Sequence, residues 1–534
     1  MKLKLSLFAL AAFGLFSALS AFGQSYAVTN ARIVTVSGPA IERGTVVVRD
    51  GLIESVGANV AAPADAQVFD AAGSTVYPGL FDSLTNIGIQ PAPRPSPGQQ
   101  GTAERSNSNY AAGLRPEDLA AEEYRVTDTQ LEAIRNHGFT TALTVGRTGI
   151  FNGRSAIINL SGEAASAMIV KSPVALHISF ATIPGQYPGS LLGMFSATRQ
   201  MFYDARRLQD IQLLYAENPR GMRRPEADRS LEALIPVLDR EIPVVFNANS
   251  EMEIIRAIDL AKEFNLRLII AGGLEAYKVL DRIKAAEAAV LLSLNLPKRT
   301  TAASPDADQE SIELLRFRAE APKTAARLAE AGIPFAFQSG GLTSLNDYLP
   351  NAGKTVESGL DRDRAIRALT MSGAEIFGVS DRMGSIEAGK IANLTVVKGD
   401  IFAKDKRVTH VFVDGKIFEP KAPPPTPART GTGPAVAMAG SYNITIEIPG
   451  QPLTGTLVLA PQGPVLTGSL QTAYGTAPAR DGKVTGNAFD FAATVDYEGQ
   501  SLDIVVRGTV TGDRVEGTID SPQGAIPFSG TRIP

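Results

Sequence analysis

Between about residues 76 and 382, short apolar runs alternate with helical patterns, and this alternation constrains the fold more than any other feature. The first run is Val76-Tyr-Pro-Gly-Leu-Phe-Asp82-Ser83-Leu84-Thr85-Asn86. Preceded by Gly73 and broken by Pro78-Gly79, it reads as a buried strand that opens a domain. Thr140–Val145, Val174–Phe180, Ile242–Asn247, Arg267–Ile270, Val290–Leu294 and Pro334–Phe337 repeat the pattern. Between them, Ser250 and Glu253 form a capping box ahead of Ile254, Ile255, Ile258 and Ala261. Leu231, Leu234, Ile235 and Leu238 share a helical face, with Pro236 inside the run. Strands and helices in this alternation build a parallel sheet. A TIM-type α/β barrel follows, with its site at the C-terminal strand ends.

The flanks have a different rhythm. Val28–Val36, Gly44–Arg49 and Ile53–Gly57 are strand-like, and Asp50-Gly51 is a hairpin turn. Met383–Asp400 and Val411–Ile417 carry similar patterns after the barrel. Residues 90–109, rich in Pro, Gly, Ser and Gln, make a loop directly after the first strand, either a lid or an unstructured excursion. Residues 420–439 are a Pro/Gly/Ala linker. Beyond it, residues 440–534 read as an all-β module, an antiparallel barrel or sandwich, with turns expected at Asp481-Gly482 and Gly512-Asp513. At the other end, Lys2 and Lys4, the apolar Leu5–Leu19 and the small-x-small Ala21-Phe-Gly23 mark residues 1–23 as a signal peptide. Export to a periplasm or beyond is expected, with no membrane span after cleavage.

Tyr77-Pro-Gly-Leu-Phe-Asp82 and Gly384-Ser-Ile-Glu-Ala-Gly-Lys390 closely resemble framework motifs of the amidohydrolase superfamily, in particular its imidazolonepropionase-like branch, over roughly residues 26–419. The resemblance implies a composite β-sandwich from residues 24–75 and 383–419 around a barrel of residues 76–382. It also implies hydrolysis of carbon–nitrogen bonds by a bound zinc or other divalent ion. In that family the first strand continues into His-x-His; here those positions are Leu84 and Asn86. The fifth-strand histidine falls on Asn247 in Pro243-Val-Val-Phe-Asn247-Ala-Asn249, the sixth-strand histidine on Gly272, and the eighth-strand aspartate on Gly340. Some members use a carboxylated lysine between the third and fifth strands, but no lysine lies between Lys171 and Lys262.

A census of residue types agrees. The chain has three histidines and no cysteine. His137 enters the second strand at the face opposite the site, and His410 lies in a closing strand. Only His177 is placed near the pocket, where a packed strand histidine is its plainer role. Zinc wants nitrogen or sulfur ligands, and a three- or four-ligand site cannot be assembled from one histidine and no cysteine except by carboxylates alone. No acidic cluster at the strand ends suggests Mg²⁺ or Ca²⁺. A metal-free triad would pair His177 with Ser179 or Ser339, but no Gly-x-Ser-x-Gly elbow is present.

The expected site therefore consists of Asn86, Asn247, Asn249, Gln338, Ser339 and His177, with no metal and no catalytic residue assigned. Neutral hydrogen-bonding groups in these places suit a small polar ligand, or are small residues filling a disused site. The leading expectation is an exported, non-catalytic binding or scaffold homologue. The alternative is a hydrolase of amides or small cyclic, imidazolone- or dipeptide-like substrates acting through other ligands. Pairing into a homo-oligomer or with an intact homologue is the third. A net charge of −4 gives no basic surface for nucleic acid. Arg220, Arg223 and Arg224, beside Glu226 and Asp228, read as a solvated loop.

Overall fold

The computed structural model describes residues 25–89, 110, 113–146, 148–181, 188–298, 310–342, 344–403, 405–420, 438–447, 453–463, 465–473, 475–497, 500–521 and 524–533. The expected signal peptide, the loop at 90–109 and nearly all of the linker lie outside them. Among the described residues, no helix is long and apolar enough to cross a membrane.

Strands β1 (Tyr26–Ile33), β2 (Ile41–Arg49), β3 (Leu52–Gly57), β4 (Gln67–Asp70) and β5 (Ser74–Pro78) precede the barrel. Its staves come from β6 (Leu80–Thr85), β7 (Phe139–Thr144), β8 (Phe151–Arg154), β9 (Ala156–Asn159), β11 (Leu176–Ser179), β12 (Val244–Ala248), β13 (Leu268–Gly272), β14 (Ala289–Ser293) and β15 (Phe335–Gln338), with β10 (Ile169–Lys171) at the edge of β9. After it come β16 (Leu394–Lys398), β17 (Arg407–Val413) and β18 (Lys416–Phe418). The two flanking segments hydrogen-bond into one eight-stranded sheet, order β18-β17-β16-β5-β1-β2-β3, with β4 on β1. Its join is the antiparallel ladder of β16 on β5, from Leu394↔Pro78 to Lys398↔Ser74. Asp50 and Gly51 both take positive φ in the β2–β3 turn, as a primed hairpin turn requires.

β6 and β7 are parallel, as are β11 through β15 in succession. Between the two sets the chain from Phe151 to Asn159 runs the other way. β9 is antiparallel to β7, and β8 is antiparallel to β11. The purely parallel circuit expected from the alternation is thus corrected: one of eight staves is reversed. β15 returns to β6, where Ser339 N donates to Asp82 Oδ1 at 2.9 Å and the Ser339 hydroxyl also bonds Asp82.

Side-chain alternation shows the closure. Phe81, Leu143, Ile157, Val245, Ile269, Leu291 and Ala336, from seven different staves, meet in one interior cluster. Their neighbours Leu80, Ala142, Ile158, Phe246, Ile270, Val290 and Phe337 face outward into a second cluster with the helices. A period of two sends successive side chains to opposite faces, so each stave contributes to both layers. The capping box of helix Glu251–Phe264 forms with Ser250 and Glu253. The single helix expected around Pro236 does not: Arg229–Glu232 and Ile235–Leu238 are separate turns, and Pro236 occupies the first turn of the second, where its missing N–H costs nothing.

The C-terminal module has nine strands: β19 (Gly440–Ile446), β20 (Leu453–Gln462), β21 (Val465–Thr472), β22 (Gly475–Pro478), β23 (Arg480–Thr485), β24 (Ala488–Tyr497), β25 (Gln500–Thr511), β26 (Arg514–Ser521) and β27 (Gly524–Arg532). Antiparallel pairing runs from strand to strand, and β27 returns to β19, with β20–β21 and β21–β23 completing a closed ring. This resolves barrel against sandwich. Tyr442, Ile444, Leu457, Phe489, Phe491, Val506 and Phe528 lie in its core. Gly512-Asp513 turns between β25 and β26, as expected. Asp481-Gly482 does not turn; it is a bulge within β23, with Asp481 at φ 53° and a register shift before Lys483.

Candidate functional site

The ends of β8, β11 and β12 bring Asn247 together with Ser179 and Asn152. Ser179 and Asn247 are register partners on β11 and β12, so their side chains share a face. The Asn247 amide donates to Ser179 Oγ at 2.7 Å, and Ser179 Oγ donates to Asn152 Oδ1 at 2.6 Å. Asn152, which the sequence reading missed, comes from the reversed stave. Its own amide donates to the carbonyls of Thr148 and Gly149, which fixes its oxygen toward the other two. Nothing in Phe151-Asn-Gly-Arg marked a strand, so no pattern pointed to Asn152.

Across the mouth, Gln338 is buried and its Oε1 has no hydrogen-bond partner among the described residues. An unmet buried acceptor costs about 1–3 kcal/mol, so an N–H arriving there gains more than at a solvated site. Ser339, by contrast, is committed to Asp82. Asp82 therefore ties β15 to β6 and is not a free carboxylate at the opening. Asn86 is half-buried beyond β6, and its backbone carbonyl accepts from Ile89. Asn249 is exposed, with its backbone N–H on Glu253. Glu275 accepts from Glu251 N at 2.8 Å and from Lys278 at 2.8 Å, so it caps a neighbouring helix.

Two glycines decide what the mouth can hold. Gly272 stands at φ 100°, and a Cβ built there would lie 2.4 Å from Asn249 Oδ1 and 2.8 Å from its Cγ. A Cβ at Gly340 would lie 2.5 Å from Gln338 Oε1. The side-chain space at two positions matched to metal ligands is thus occupied by carboxamides.

His177 is fully buried on β11 beside Val245, and both ring nitrogens lack a partner among the described residues. Burial pushes its pKa down to about 3, which keeps the ring neutral. It makes no bond to Ser179, and the hydroxyls of Ser179 and Ser339 go to Asn152 and Asp82, so no Ser–His couple forms. The Ser/His/Asp arrangement is excluded on geometry. His137 lies in the turn before β7, also desolvated, with its pKa lowered to about 4.

A divalent ion is implied by the fold, and the residues present do not fit one. Among the described residues, no three His, Asp or Glu side chains converge. The donors at the mouth are neutral amides and hydroxyls, and the carboxylates of Asp82 and Glu275 are already engaged. Such oxygens are poor zinc ligands.

The model of the amidohydrolase family matches residues 76–418. The chain belongs to the amidohydrolase family. Among solved structures it is similar to an amidohydrolase from Thermotoga maritima, with 25% identity and a TM-score of 0.62, covering 74% of this chain and 100% of that one. A prolidase complexed with N-methylphosphonate-L-proline aligns over 74% of this chain and 100% of its own, at 17% identity and TM-score 0.46. A Xaa-Pro dipeptidase with bound methionine aligns over the same shares, at 16% and 0.45. No curated protein sequence matches. The matched stretch runs from β5, just before the first stave of this amidohydrolase-family chain, through the closing strands of the flanking sheet.

Proposed function

We propose that this amidohydrolase-family barrel binds a small polar, amide-bearing ligand at its C-terminal mouth and does not carry out the family's metal-assisted hydrolysis. The observation that carries the reading is the pair Gly272 and Gly340, whose side-chain space is filled by Asn249 and Gln338. A metal lowers the pKa of bound water from about 15.7 to about 7, and without ligands for one the barrel lacks its hydroxide source. What it has instead suits amide recognition: the unpaired Gln338 Oε1 as acceptor and the Asn152–Ser179–Asn247 chain as a preset polar edge. Export, a scaffold role and pairing with itself or an intact homologue belong to the same proposal.

Family membership and the hydrolases among similar structures speak more for a second reading. In it the chain hydrolyses carbon–nitrogen bonds of amides or small cyclic, imidazolone- or dipeptide-like substrates through other groups. One experiment separates the two. Purified protein is offered N-acyl amino acids and dipeptides, with and without added zinc or manganese, while product formation and thermal stabilisation are read together. Stabilisation without product supports binding; zinc-dependent turnover supports the hydrolase.

A further inference from the structure

The opposite end of the barrel holds a large cleft that the mouth does not explain. Its volume is about 1260 Å³, and it lies across the N-terminal ends of β12 to β15, lined there by Pro243, Leu268, Ala289 and Phe335. Six cationic side chains line it: Arg240, Lys262, Arg267, Arg282, Arg364 and Arg367, against the carboxylates Asp259, Glu287 and Glu375. Arg367 and Glu375 satisfy one another. The other five cations form no ion pair among the described residues, in a chain whose net charge is −4.

Three of these arginines are held in place by backbone. Arg240 donates Nη1 to the Asn265 carbonyl at 2.9 Å. Arg267 donates Nη1 to the carbonyls of Arg240 and Glu241, each at 3.3 Å. Arg364 donates Nη1 to the Ala329 carbonyl at 3.0 Å. In each case Nε and Nη2 have no partner among the described residues. A guanidinium anchored on one edge has already lost much of its rotamer freedom, and its free edge presents the fork that matches an oxyanion. Like charges gathered this way repel, and an anion that enters relieves the repulsion.

We propose that this cleft is a binding site for a multivalent oxyanion, a small molecule bearing two or more phosphate or carboxylate groups. Arg240, Arg267 and Arg364 supply bidentate contacts, and Lys262 and Arg282 add charge. The volume suits a ligand larger than a single phosphate. The site lies at the other end of the barrel from the amide-binding mouth and stands or falls independently of it.

The test is calorimetric titration of the full chain with sodium pyrophosphate and, separately, with citrate, at low ionic strength. Saturable binding of either anion, weakening as salt is added, supports the site, and the tighter of the two identifies the source of the charge. Arg267→Gln with Arg364→Gln is expected to weaken binding at least about tenfold, since each charge-assisted fork is worth that much. The Arg282 side chain makes no hydrogen bond among the described residues, so Arg282→Gln removes no contact of the fold, and it is expected to weaken binding as well. Arg223→Gln with Arg224→Gln, on the exposed loop, serves as the control for general charge and is expected to leave binding unchanged. Absence of saturable binding for both anions, or equal affinity in the cleft and control variants, overturns the proposal.

Discussion

At the residue scale, glycines and amides act in pairs. Gly272 combines a left-handed backbone with a carboxamide in its Cβ space, so Gly272→Ala is expected to cost about 1–3 kcal/mol in urea unfolding. In Asn249→Ala the steric part disappears and the backbone part remains, so the double variant should recover some of that loss. The coupling is expected at about 0.5–3 kcal/mol, and strict additivity would mean that the two side chains do not compete. His177 gives a pH prediction. Its folded pKa of about 3 lies below the ordinary value of 6.5, so the unfolded chain binds the proton first as pH falls. Stability contributed by neutral burial is complete above pH 6.5 and is lost as pH drops toward 3, at up to about 1.4 kcal/mol per unit. His177→Leu should flatten that acid limb; parallel limbs in the two proteins would contradict it. The family was legible in the sequence because the framework motifs Tyr77–Asp82 and Gly384–Lys390 carry it. The packing at the mouth was not: that Asn249 fills the place beside Gly272, or that Ser339 belongs to Asp82, depends on approaches between strands that no local pattern encodes.

At the scale of elements, the barrel closes through a side chain where the main-chain ladder gives out. Asp82 on β6 accepts both the N–H and the hydroxyl of Ser339 beyond β15. Asp82→Asn is expected to cost about 1.5–3 kcal/mol, because a buried charged acceptor becomes an amide that mispairs with a Ser339 donor. Ser339→Ala should cost less, since the backbone N–H bond survives. Equal stability of Asp82→Asn and the native chain in chemical denaturation would rule out the clasp. The parallel staves were readable as apolar runs bounded by turn residues. The reversed stave was not, because Phe151–Asn159 has only short apolar patches around Asn152, Gly153 and Arg154. Its direction is set by its partners β7 and β11, and it delivers Asn152 to the mouth. Pro236 and Asp481-Gly482 show the same limit in miniature: each breaks a regular pattern locally, and tertiary pairing decides how.

At the scale of the whole molecule, separate cores account for stability and place the two candidate sites at opposite ends of one barrel. The C-terminal ring keeps its own cluster from Met438 to Phe528, with none of its members from the amidohydrolase portion. A chain ending at Glu419 is therefore expected to keep the melting transition of the barrel, and the full chain to show a second, separable transition in calorimetry. Loss of the barrel transition on truncation would mean that the two share stabilising contacts. Metal content distinguishes a mouth without cation ligands from a working metal site. Purified full-length protein is incubated with zinc and manganese, dialysed, and its bound metal counted by mass spectrometry, with Gly272→Ala as a second sample. Well under one equivalent of either ion is expected in both samples. One or more tightly held equivalents in the native chain, retained through dialysis, would contradict that expectation and restore a metal-assisted hydrolase.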